Sequence, residues 1–193
     1  TDRKEEKESA AFNKELQKII DQKADAKSIL PVGTVGSALR QCGFPDVPIE
    51  MPAKVVTEKN QPNYASNHPF AAEELKDSPK AIKHPVMVIK GLTESNSQVV
   101  LTELHHDGKN FVVAVKLNYA PHGIHSSLRV NSIRSVYPKE AQSIVDWLNR
   151  SDLLIKADKN KAMEWLTQQQ SNSADVENHI NNLDVAANIV RNL

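Results

Sequence analysis

One histidine at a loop-to-helix junction and a strand that alternates polar and apolar residues are the parts of this sequence best suited to chemistry. His68 follows a polar, Asn-rich stretch (residues 60–67) and precedes Pro69, which suits a first helical position. A ring placed there is positioned to face a cleft, and its near-neutral pKa fits an acid or a base. The plainer reading is a capping or partly buried histidine. Over residues 128–137, alternation sets Arg129, Asn131, Ile133, Ser135 and Tyr137 on one face and Leu128, Val130, Ser132, Arg134 and Val136 on the other. The second face is the more apolar and is expected to meet the core. Asn131, Ser135 and Tyr137 then share the open face, offering hydrogen-bond donors and one stacking ring to a phosphate or a base. Arg129 or Lys139 stands at the rim, and Arg134 joins only through a bulge or lines the sheet edge. Here too a plainer reading exists: strand residues with satisfied hydroxyls and a solvated lysine.

Between Lys109 and Lys139 lie five cations (Lys109, Lys116, Arg129, Arg134, Lys139) and no acid, so one face attracts phosphate although the whole chain has zero formal net charge. His122-x-x-His125 has no carboxylate or cysteine nearby to complete a metal site, and these two histidines read better as substrate-loop residues. His105-His106-Asp107 falls at a turn where exposed polar side chains are ordinary, and His179 reads as a surface residue of a terminal helix. Cys42 is the single cysteine, which excludes an intrachain disulfide and a thiolate metal site and fits a reducing compartment. No metal and no cofactor is expected.

The elements that position these residues follow from periodicity. Phe12, Leu16, Ile19 and Ile20 recur at helical spacing, predicting an amphipathic helix or linker over residues 1–30. Residues 33–43 read as a short helix stopped by Gly43, and Pro45, Pro48 and Pro52 keep the next stretch extended. His68-Pro69 and Ser78-Pro79 each open a helical turn, with Phe70 and Leu75 as anchors. Period-two, β-branched runs then predict strands at 86–90, 99–105, 111–117 and 128–137, the middle pair joined at Asp107-Gly108 as a tight hairpin. Pro138 is expected to start a helix, and further helices are expected at 159–169, capped by Asp158, and at 174–190. The fold class is α+β: helices, a four-stranded antiparallel meander, then C-terminal helices.

At 193 residues and 39% hydrophobic content, the chain suits one compact domain (residues 31–167) with a helical extension at 168–193. No apolar run approaches the length of a membrane span. A start at Thr1 points to a piece cut from a longer polypeptide or to a processed product, with room for delivery signals upstream.

Asn67-His68-Pro69, Leu75, Ser78-Pro79, His84-Pro85-Val86-Met87-Val88, the 99–103 strand and Val130-Asn-Ser-Ile-Arg-Ser-Val-Tyr-Pro-Lys139 occur in an order that resembles the C-terminal domains of phage MuF-type proteins and the related Barnase-EndoU-colicin-RelE-like nucleases. The likeness runs from about residue 30 to 167, with Leu153–Leu166 similar to the closing helix of those domains. The resemblance implies a helix packed on a four-stranded sheet and a toxin that cleaves RNA without metal, in a bacterial cytoplasm or a virion, opposed by an immunity protein. It implies catalytic roles for His68, Asn131, Ser135 and Tyr137, with Arg129, Arg134, Lys139, Lys116, His122 and His125 binding substrate. Such cleavage needs a base for the 2′-hydroxyl, an acid for the leaving 5′-oxygen and donors on the phosphate. Zero net charge and only 5% aromatic content point the other way, to a noncatalytic virion or interaction module on the same fold. A nucleotide transferase using the same cleft is a third reading.

Overall fold

The computed structural model describes residues 2–58, 70–150, 152–169, 177, 178, 180 and 181. The Asn-rich stretch, His68-Pro69, His179 and most of the expected 174–190 helix lie outside the described residues. In chain order the elements are α1 (Asp2–Ile20), β1 (Ile29–Gly33), α2 (Ser37–Gln41), β2 (Ile49–Pro52), α3 (Ala53–Thr57), a 3₁₀ turn (Ala72–Leu75), α4 (Ser78–Lys83), β3 (Met87–Lys90), β4 (Ser97–His106), β5 (Lys109–Tyr119), β6 (Val130–Lys139), α5 (Ala141–Leu148), β7 (Leu154–Ala157) and α6 (Lys159–Gln168).

The four expected strands are β3 to β6, each antiparallel to the next. Asp107 and Gly108 both take positive φ, 48° and 74°, as a tight hairpin requires. The fold is α+β, but the four-stranded meander is only the middle of a larger sheet. Among the described residues seven strands run in the order β1-β2-β6-β5-β4-β3-β7, and β2 lies parallel to β6. The three added strands carry weak signals. β1 contains Pro31, which an edge strand tolerates, and β2 is four residues bounded by prolines. β7 is a four-residue edge strand on β3 where the sequence suggested a closing helix. Pro138 ends up inside β6 rather than opening a helix. β2 reaches only as far as Ser132, so at Pro138 the strand has one partner and its missing N–H faces the unpaired side.

Helices are interspersed along the chain and cover both faces. On one side Phe12 and Leu16 of α1, Leu39 of α2, Val56 of α3 and Ile82 of α4 pack with Val88, Val113, Val115, Ile133 and Val136 of the sheet. On the other, Ile144 and Leu148 of α5 and Trp165 and Leu166 of α6 pack on Met87, Ile89, Leu101 and Val112. Asp158 caps α6 by accepting from the Lys161 amide at 3.1 Å.

Polar contacts fasten α1 to the domain. Glu8 pairs with Lys83, which is 5% exposed, and accepts from the Thr34 amide (3.1 Å) and hydroxyl (2.9 Å). Gly33 makes this approach possible: at φ +116° it lacks a Cβ that would stand 2.4 Å from the Glu8 carboxyl carbon. Asn13 exchanges two hydrogen bonds with Asp77, 3.1 and 3.0 Å, holding that residue at its left-handed φ of 62° at the start of α4. Among the described residues no helix is long and apolar enough to cross a membrane.

Candidate functional site

The register of β6 decides which side chains share a face. Ser135 pairs with Ala114 and Ile133 with Val115, so Arg134 is an extra residue, a bulge. The bulge shifts the alternation by one. Ile133 and Val136 therefore both enter the core under α1 to α4, and Ser135, Tyr137 and Lys139 point to the face that α5 and α6 cover.

Asn131 consequently does not share a face with Ser135 and Tyr137, which corrects the expectation from simple alternation. It is 0% exposed, donates to the Pro45 and Val47 carbonyls at 3.0 and 3.2 Å and accepts from the Asn118 amide at 3.2 Å. These bonds tie the β5–β6 irregularity to the loop before β2. Asn131→Ala removes three hydrogen bonds to backbone groups and is expected to cost about 1–3 kcal/mol, read as a lowered midpoint in denaturant. An unchanged midpoint would show that the clamp is dispensable.

Ser135 and Tyr137 line one cavity of about 180 Å³ with Ala114 of β5, Val99 of β4, Ile89 of β3, Leu92 and Thr93 of the following loop, and Trp147 of α5. The Lys139 ammonium lies 3.8 Å from the Trp147 ring centroid and 5.6 Å from that of Tyr137. Burial pushes the Tyr137 hydroxyl above its ordinary value, so it stays protonated near neutral pH. Burial also lowers the Lys139 ammonium from its ordinary value. The arrangement offers an apolar slot, two aromatic rings, hydroxyls and a partly desolvated cation side by side.

The remaining expected residues are dispersed. Arg134, exposed on its bulge, stacks 5.0 Å from the Tyr119 ring centroid. Lys116 donates to the carbonyl and, at 3.4 Å, the hydroxyl of Ser95. Arg129 donates to the carbonyls of Ser126, Leu128 (2.9 Å) and Ile124 (3.4 Å), bracing its own loop rather than the cavity rim. His122 and His125 are exposed on that loop and do not line the cavity. His68 is outside the described residues; Phe70, two positions on, packs edge-to-face on Phe111 at 5.1 Å, in the core under α1 to α4.

Three features escaped the sequence reading. Trp147, on the half-exposed flank of α5, walls the cavity. His84 Nε2 lies 2.8 Å from Glu5 Oε1, and His106 Nδ1 lies 2.6 Å from Glu74 Oε1. These pairs span 79 and 32 residues of sequence, so no local spacing announces them. Burial pushes the Cys42 thiol up to about 11 against the pull of the Lys156 ammonium, so it is no thiolate at neutral pH. No three His, Cys, Asp or Glu side chains cluster for a metal among the described residues.

No curated protein and no solved structure matches the chain. The family model of the phage MuF-C-terminal domain matches residues 59–164, a span holding β3 to β6, the Ser135–Tyr137 cavity and Trp147. That is more than half of the 193 residues, and the chain belongs to the phage MuF-C-terminal domain family.

Proposed function

We propose that this domain is a metal-independent ribonuclease toxin whose substrate strand lies on the β6 face opposite α1. The observation that carries the reading is the cavity in which Ser135 and Tyr137 stand beside Trp147, with Lys139 stacked on its ring. Stacking between a base and such rings contributes about 1–3 kcal/mol per base and tolerates any base. Protonated Tyr137 and the Ser135 hydroxyl supply donors for phosphate oxygens, and Lys139 offsets the charge that grows as phosphorus becomes pentacoordinate.

The 2′-oxygen attacks phosphorus while a base takes its proton, and the 5′-oxygen leaves with a proton from an acid. The bond to the 5′-oxygen breaks, and a 2′,3′-cyclic phosphate remains, which water opens to a 3′-phosphate. His68 is the proposed acid or base, and Arg134 a peripheral phosphate contact. A cognate immunity protein, an upstream delivery domain and action in a bacterial cytoplasm or within a virion belong to the same proposal.

Zero net charge, together with Lys116 and Arg129 bound to their own loops, favours a second reading, a noncatalytic interaction module. End-group analysis of labelled single-stranded RNA after incubation with the purified chain separates the two. Cyclic or 3′-phosphate ends support the ribonuclease; intact RNA supports the module.

A further inference from the structure

A second cavity, of about 470 Å³, opens at the β3–β7 end of the sheet, lined by Val88 of β3, Lys156 of β7, Gln41 of α2 and Lys159 and Lys161 at the start of α6. This cavity shares no lining residue with the one that Ser135 and Tyr137 line. His84, held by Glu5, stands at its rim.

Its charges are unequally matched. Lys161 is paired with Glu103 at 2.6 Å and donates to the His84 carbonyl at 2.9 Å. Asp158 is occupied as the cap of α6. Lys156, by contrast, meets the neutral side-chain oxygen of Gln41. Neither Lys156 nor Lys159 takes part in any ion pair of the described residues. Two ammonium groups without carboxylate partners among the described residues thus line a cavity of a size that holds small ligands. In a chain whose charges sum to zero overall, this is a local excess of positive charge.

We propose that this cavity is a phosphate site, taking the phosphate of a nucleotide or of a nucleic-acid backbone between Lys156 and Lys159. Ammonium groups recognise phosphate as point charges, and a cavity of about 470 Å³ leaves room for the sugar or base beside it. The site is independent of the reaction assigned to the Ser135 face.

Isothermal titration of the full chain at low ionic strength with inorganic phosphate, AMP and a single-stranded DNA oligonucleotide tests it; the DNA lacks the 2′-hydroxyl and stays intact. AMP, the oligonucleotide or both are expected to bind, and which of them does identifies the source of the phosphate. Lys156→Gln combined with Lys159→Gln is expected to weaken that binding roughly tenfold. Lys14→Gln combined with Lys27→Gln removes the same charge from exposed positions elsewhere and is expected to leave it unchanged. Binding of none of the three probes, or binding equally affected by both double variants, overturns the proposal.

Discussion

His68→Ala is expected to lower RNA cleavage by roughly 100-fold or more, the scale of a lost general acid or base. The melting temperature is expected to stay put, because the anchor of this stretch is Phe70, buried against Phe111, and that contact is untouched. Histidine exchanges a proton near neutral pH without a large shift, and His68 lies within the family match over residues 59–164. Single-turnover cleavage by the variant is the measurement. Full activity would move the acid–base role elsewhere, and His84 or His106, each oriented by a carboxylate, would be the next histidines to replace.

The largest effect on stability is expected at Glu8→Ala. Glu8 neutralises Lys83 between α1 and α4 and takes two bonds from Thr34. Removing it leaves a buried ammonium without that partner, a change that typically costs about 3–5 kcal/mol. Denaturant unfolding of the variant reads this directly.

The pH dependence has a definite sign. Burial is the largest influence on Lys83 and lowers its pKa from the ordinary 10.5, ahead of the Glu5 carboxylate, which raises it. A lowered native pKa means that the unfolded chain binds the proton more tightly, so this group's contribution to stability rises with pH between the native value and 10.5. The deficit of Glu8→Ala is therefore expected to shrink as pH climbs towards 10.5, since a neutral Lys83 needs no partner. A deficit that stays constant with pH would place the cost in the Thr34 bonds instead.

What was legible in the sequence was whatever is encoded locally. β4 and β5 follow from alternation and from the two positive-φ positions of Asp107-Gly108, and α6 from its Asp158 cap. β1, β2 and β7 were not legible, because four or five residues interrupted by proline or placed at an edge carry too little pattern to outweigh their neighbours.

The site was only half legible for a sharper reason. One inserted residue, Arg134, reverses every side chain beyond it, and nothing in Ile133-Arg-Ser135 advertises a bulge. Ser135, Tyr137 and Lys139 were still grouped together because they lie on the same side of the insertion. Asn131 lies across it and became a buried clamp. Trp147 joins them through the packing of α5 on the sheet, which alternation along one strand does not report.

Metal-independent cleavage of RNA by this domain is read most directly from the cleavage rate of labelled single-stranded RNA by the purified chain in excess chelator, compared with the rate in added Mg²⁺. Equal rates are expected, with cyclic or 3′-phosphate ends in both. Cleavage that vanishes in chelator and returns with Mg²⁺, or no cleavage in either, would contradict it.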